Sequence, residues 1–162
     1  MNERMSLRRA SAADAAAVRA LTRAAYAKWV PLVGREPLPM TADYDRAVVE
    51  HIIDLLEEDG DLRGLIEMAP ACGHLLIVNI AVRPDHQGKG LGDRLLDHAQ
   101  WFARSLGLDE IQLYTNAAMA SNLDFYGRRG YHEFRRGTLV PGSVSIFMRK
   151  KIRLPGCDAE PP

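Results

Sequence analysis

The residues best suited to chemistry lie together in Val82-Arg83-Pro84-Asp85-His86-Gln87-Gly88-Lys89-Gly90-Leu91-Gly92. An apolar run feeds this segment and an amphipathic run leaves it, so it joins a strand to a helix N-terminus. Free N–H groups at such a terminus bind anions. Glycines at 88, 90 and 92 let a phosphate approach the main chain unobstructed. Arg83, His86, Lys89 and Arg94 add positive charge, against Asp85 and Asp93 in the same stretch. The expected guest is a phosphate-bearing ligand, and spacing tests which one. The dinucleotide fingerprint G-x-G-x-x-G needs glycine at 93 after Gly88 and Gly90, where Asp93 stands, and G-x-x-x-x-G-K-[ST] has no match in the chain. Both nucleotide readings fail.

The loop does contain Q-x-x-G-x-G, at Gln87, Gly90 and Gly92, and further on comes Met119-x-x-Asn122-x-x-x-Tyr126-x-x-x-Gly130-Tyr131. On these residues the sequence resembles the GNAT superfamily of N-acetyltransferases. The family signature is Arg or Gln, two residues, Gly, one residue, then Gly or Ala. A later family helix carries Asn or Ala and then Tyr, followed by a Gly–aromatic pair. The resemblance spans roughly Ser6 to Lys151, with its specific part between Gly73 and Phe134.

The resemblance implies acetyl-CoA as cosubstrate, bound where the fourth and fifth strands splay apart. The pyrophosphate would be held by backbone N–H groups of Gln87, Gly88, Lys89, Gly90, Leu91 and Gly92. The backbone of Ala81 and Val82 would pair with the pantetheine arm like an added strand. Tyr126 matches the family tyrosine that protonates the departing thiolate; a phenol with a reference pKa of about 10 is protonated at neutral pH and can serve as that acid. Asn122, one turn earlier, would bond the pantetheine amides or the ribose region.

An ammonium acceptor must also lose a proton. Glu67, His51 and the acids near Asp43 are the candidates, and spacing selects none of them. Family members can carry a glutamate just before the position of Asn79, but Val78 stands there. Asn79 itself would mark a strand bulge. The implied acceptor pocket uses Tyr26, Trp29, the loop Gly34 to Met40 with its Arg35-Glu36 pair, and Tyr44. The histidines show no ligand spacing, so no metal is expected. No cysteine lies near the signature and Ser121 has no evident base partner, so direct attack by a primary amine is expected rather than a covalent enzyme intermediate. The alternative is a non-catalytic acyl-CoA-binding regulatory or interaction module.

These residues need a scaffold. Ser6 to Ala10 can begin a sheet, and Ser11 with Asp14 caps a helix through about Lys28, with Val18, Leu21, Ala25 and Trp29 on one side. Pro31 to Pro39 reads as a loop and Thr41 to Arg46 as a short helix. Apolar runs at Val48–Leu56, Leu62–Met68 and Leu75–Val82 read as an antiparallel meander around Asp59-Gly60 and Cys72-Gly73, with the first half of the first run equally suited to a helix. Gly90 to Leu106 is the strongest helix, stopped by Gly107. Ile111–Thr115 is a strand, Leu123–Arg129 a short helix stopped by Gly130, and Tyr131–Arg135 with Val144–Arg149 a final hairpin around Pro141-Gly142. The expected fold is α/β: a central mixed, mostly antiparallel sheet of about seven strands, helices on both faces, and one parallel pair near the cofactor cleft. Residues 1–151 form one domain and 152–162 a disordered tail.

Composition agrees with this. The 162 residues are 47% hydrophobic and 26% charged, as in a soluble globular domain. With 21 Lys plus Arg against 21 Asp plus Glu, the formal net charge is zero, which speaks against a generally basic nucleic-acid binder but leaves room for a local basic patch. Cys72 and Cys157 lie far apart with no C-x-x-C spacing, which favours a reducing, cytoplasmic setting. No leader or bilayer-length apolar run occurs, so no membrane is expected. A homodimer through the last strands or a sheet edge is left open by the resemblance.

Overall fold

The computed structural model describes residues 4–156. Its strands are β1 (Met5–Arg9), β2 (Ile52–Glu58), β3 (Asp61–Ala71), β4 (His74–Val82), β5 (Glu110–Asn116), β6 (His132–Val140) and β7 (Ser143–Lys151). The helices are α1 (Ala15–Tyr26), α2 (Val30–Val33), α3 (Leu38–Thr41), α4 (Tyr44–Glu50), α5 (Leu91–Ser105) and α6 (Ala120–Gly127). The strands form one sheet in the order β1-β2-β3-β4-β5-β7-β6. All neighbours are antiparallel except β4 and β5, which are joined by the crossover that parallel strands require, through α5.

Two irregularities shape this sheet. The β4–β5 ladder holds only from Leu75, Leu76 and Ile77 to Ile111, Gln112 and Leu113, although β4 runs on to Val82 and β5 to Asn116. Beyond Ile77 the two strands therefore diverge. At the same point the β3–β4 register shifts: Glu67 opposes Asn79 and Met68 opposes Ile77, which leaves Val78 as a bulge. An extra residue reverses which face each later side chain meets. Leu75 and Ile77 pack with α5 before the bulge, as Ile80 and Val82 do after it, while Asn79 and Ala81 turn toward α1.

Two apolar clusters cover the sheet's faces. Leu91, Leu95, Leu96, Ala99 and Ala103 of α5 pack on Ile66, Met68, Leu75 and Ile111. On the other face Val18, Leu21 and Ala25 of α1, with Tyr44 and Ala47 of α4, pack on Ile53, Leu55 and Leu65. The expected architecture is thus present, with local differences. The Pro31–Pro39 segment is not all loop: Pro31 and Pro39 sit in the first turns of α2 and α3, where a missing N–H removes no hydrogen bond. The first apolar run divides, Val48 and Val49 lying in α4, which ends at Glu50, and Ile52 starting β2, and the helix expected over Thr41–Arg46 begins at Tyr44 because Asp43 accepts from the Arg46 N–H at 3.2 Å. Ile152, placed by the sequence in a tail, is buried and its amide donates to the Asp109 carbonyl at 2.8 Å. Residues 157–162 of that tail, with Cys157, lie outside the described residues.

A polar strut centred on one buried carboxylate ties β1, β2 and α5. Asp54 is 4% exposed and accepts from Arg9 Nε at 2.5 Å and pairs with His98 Nε2 at 2.7 Å. Burial raises its carboxyl, but the His98 and Arg9 bonds outweigh this and hold it below the usual carboxylate range. Its contribution is therefore complete above the unfolded carboxylate pKa and lost as pH falls through the folded one. Urea titration of Asp54→Asn should show a loss of about 2 kcal/mol at neutral pH, the difference shrinking in acid.

Candidate functional site

The loop from β4 to α5 uses each glycine differently. Gly88 and Gly90 take φ of 76° and 83°, a region that side chains rarely adopt, and Gly90 serves as the N-cap of α5. Gly92 is helical, but a Cβ there would lie 2.8 Å from Phe125 Cζ. The ring of Phe125 closes over this turn and is itself covered by the Arg129 guanidinium at 3.6 Å, while Arg129 pairs with Asp93. The first turn of α5 and the end of α6 are thus locked face to face.

Between them opens a cleft of about 390 Å³ lined by Ile80, Ala81, Val82, Gln87, Gly88, Gly90, Leu91, Gly92, Asn122 and Tyr126. The structure so brings together the residues expected to bind the cosubstrate, except Lys89, which is exposed and not on the cleft wall. The expected positive charge is redistributed. Arg83 is held by Asp85 at 3.1 Å and Arg94 is exposed, whereas Lys28, Arg128 and Arg129 line the cleft. Those three were missed because nothing in their local spacing announces that α1 and α6 meet the loop.

The open edge of β4 forms one wall. The Arg83 amide donates to the Arg63 carbonyl at 2.9 Å, so strand alternation turns the main chain of Ala81 toward β3 as well. Ile80 and Val82 face the cleft instead. The Ile80 carbonyl accepts from the Tyr26 hydroxyl at 3.3 Å, and the Val82 carbonyl from Gln87 Nε2 at 3.0 Å. Gln87 Oε1 in turn accepts from Lys28 Nζ at 2.7 Å. The signature glutamine therefore fastens the loop to both the strand and the end of α1.

Tyr126 lies where this cleft meets a smaller compartment of about 60 Å³, sharing that position with Tyr26 and Asn122. It is 9% exposed and makes edge contacts with Phe125 and Tyr131, at ring separations of 5.3 and 5.9 Å. Burial pushes its hydroxyl up to about 12. Burial, with the nearby Tyr126 contributing less, also drives Tyr26 well above its ordinary value. Both phenols carry their protons throughout the neutral range.

The small compartment continues past Val78, Asn79 and Tyr114 into a wider one of about 300 Å³. Here Glu67, 3% exposed, pairs with His51 Nδ1 at 2.6 Å through Oε1. Of the proton acceptors considered from sequence, Glu67 and His51 come together on this wall, while the Asp43 carboxylate caps α4. The residues expected around the acceptor divide: Tyr44 lines the wide compartment, Tyr26 both the small compartment and the cleft, and Trp29 the cofactor cleft, beneath Lys28 Nζ at 5.0 Å. Tyr114, on the wall of both the small and the wide compartment, was missed because an aromatic in a strand reads as core. No group of three His, Cys, Asp or Glu among the described residues could hold a metal ion, and no helix there is long and apolar enough to cross a membrane.

Known proteins resemble this chain in sequence or in fold. Streptothricin acetyltransferase from Streptomyces lavendulae is 32% identical over 98 residues, which cover 56% of this chain and 52% of that protein. Mycothiol acetyltransferase from Rhodococcus opacus is 33% identical over 94 residues, covering 58% of this chain and 28% of that one. The chain thus spans about half of the first relative's length and less of the second. The PaiA N-acetyltransferase of Thermoplasma acidophilum, solved with coenzyme A, superposes with a TM-score of 0.78 at 18% identity, covering 91% of this chain and 99% of that one, and so shares the fold. The Acetyltransferase (GNAT) family model matches residues 17–131. That match takes in the loop, the splayed strands and Tyr126, and the chain belongs to the GNAT acetyltransferase family.

Proposed function

We propose that this protein transfers the acetyl group of acetyl-CoA to a primary amine by direct attack. The observation that carries the reading is the position of Tyr126, a buried and protonated phenol at the place where the glycine-lined cleft opens into the acceptor compartments. Backbone N–H groups from Gln87 to Gly92 would hold the pyrophosphate, and Ile80 and Val82, rather than Ala81, would offer the strand edge to the pantetheine arm. Lys28 and Arg129 would meet the remaining phosphate charge, with Asn122 beside the arm. The acetyl carbonyl then lies between Tyr126 and Asn79.

The amine nitrogen forms a bond to the thioester carbon, and the C–S bond breaks. Tyr126 gives its proton to the departing sulfur. The amine's proton passes through a water in the acceptor pocket to Glu67, and His51, which is partly open to solvent, stands next in line to carry it out. Exchange with solvent restores both groups. The exposed Cys72 thiol suits a cytoplasmic, reducing location for this reaction.

Mixing the protein with acetyl-CoA and a panel of amines, while following free thiol and the mass of the amine, tests the proposal. Thiol release matched by an acetylated amine is expected; coenzyme A binding with no thiol release from any amine would make the chain a binding module. The cleft has its own test. Gly92→Ala drives a methyl group into Phe125 and should raise the KM for acetyl-CoA about 10-fold while lowering stability by about 1–3 kcal/mol, read by saturation kinetics and urea unfolding.

A further inference from the structure

Two residues on the wall of the same small compartment, Asn79 and Arg35, each carry a buried polar atom with no hydrogen-bond partner among the described residues: Asn79 Oδ1 and Arg35 Nε. Their chemistry is opposite, one an acceptor and the other a cationic donor. The orientation of Asn79 is fixed by its neighbours. The Tyr44 hydroxyl donates to the Pro39 carbonyl at 2.7 Å, so its oxygen accepts from Asn79 Nδ2 at 3.2 Å, and Nδ2 also donates to Thr22 Oγ1 at 3.1 Å. Oδ1 is thereby left without a donor in a residue that is 2% exposed.

Arg35 is held as firmly. It follows Gly34, whose φ of 81° ends α2, and lies two residues before the buried Pro37. The one carboxylate beside it in sequence, Glu36, is taken by Arg23 at 2.6 and 3.2 Å. Arg35 Nη1 donates to the Glu36 carbonyl at 3.3 Å. Among the described residues no acidic side chain lines the compartment, and Arg35 is the sole charged residue on its wall. A buried N–H without a partner is unfavourable, and a guanidinium edge fits an oxyanion with two parallel bonds.

We infer that the acceptor is amino-acid-like: its amine donates to Asn79 Oδ1 beside the acetyl group, and an anionic group a few bonds away is held by Arg35. This rests on the proposed acetyl transfer and narrows its substrate. A compartment of about 60 Å³ admits only a small head group, so both functions sit on one short fragment, while the rest of the acceptor extends toward the wide compartment. Fixing the fragment at two points orients the nitrogen for attack. Arg35 is thus a specificity residue.

The test compares acceptors that differ only in the anion. Glycine, β-alanine, L-phenylalanine and L-lysine are each set against the carboxamide and the decarboxylated amine, and aminomethylphosphonate against glycine separates carboxylate from phosphonate. The best acid should exceed its amide about 100-fold in kcat/KM, mainly through KM. Arg35→Gln should bring that ratio close to one, and Arg35→Lys should restore part of it. Equal turnover of acid and amide by the wild type, or a preference that survives Arg35→Gln, overturns the inference. If no amine is acetylated the proposed activity fails, and calorimetric binding of the same pairs to the coenzyme A complex decides this point separately: tighter binding of the acid, lost in Arg35→Gln, supports the anion site, and equal or absent binding overturns it.

Discussion

Replacing Tyr126 by Phe should lower kcat about 100-fold or more, with the KM for acetyl-CoA nearly unchanged. The expectation follows from what the substitution removes. The ring contacts with Phe125 and Tyr131 are retained, so the fold and cleft should persist. Only the proton offered to the thiolate disappears. The pH profile adds an independent check. Burial pushes the Tyr126 hydroxyl up to about 12, so the acid form survives well past the reference value for tyrosine. The wild-type rate should therefore hold through about pH 10, where a solvent-exposed phenol would already be half lost. Stopped assays from neutral to alkaline pH read this directly, and a decline centred near the ordinary tyrosine value would remove Tyr126 from the role.

The second large effect is expected at Glu67. Glu67→Gln keeps the size and the partner of His51 but cannot take a proton, and kcat should fall about 100-fold with an ordinary alkylamine. The loss should shrink with an acceptor of low basicity, such as an alkoxyamine, which is already neutral at the assay pH. That contrast separates a proton acceptor from a side chain that merely shapes the pocket, because a shape defect would penalise both acceptors alike. The surroundings of Glu67 suit a proton acceptor. His51 is bonded to it, Tyr44 and Tyr114 face it, and Asp43, Arg46 and Glu50 lie on the same compartment wall. Burial, with a smaller contribution from Glu67, raises the Tyr114 hydroxyl, so that phenol keeps its proton beside the pair.

The cofactor half of the site was more legible in the sequence than the acceptor half, for physical reasons. The loop acts through main-chain groups and glycine conformations, and such requirements leave local traces: Gly88 and Gly90 for positive φ, and Gly92 for a close approach. The long helix α5 was equally plain because its buried residues repeat at helical spacing. The acceptor side is assembled from α1, the α2–α3 connection, β3, β4 and β5, and its contacts join residues far apart in the chain. Nothing near Glu67 announces that His51 will bond to it, and nothing near Glu36 that Arg23 will claim it and leave Arg35 without its neighbour. The short helices were hidden for a related reason. Proline counts as a breaker along the sequence, yet in a first turn it takes the place of an N–H that had no partner.

The bulge at Val78 makes the site discrete. Side chains on a strand have only two directions, so a single extra residue acts like a frame shift in space. If Val78 instead paired with Glu67 in an unbroken β3–β4 ladder, the segment after Ile77 would be inverted: the Asn79 amide would be driven against α5, and Ile80 would take its place among Thr22, Tyr44 and Glu67. No series of conservative substitutions crosses that step. The Asn79 wall of the compartments and the Ile80–Val82 edge of the cleft therefore both depend on this one bulged residue.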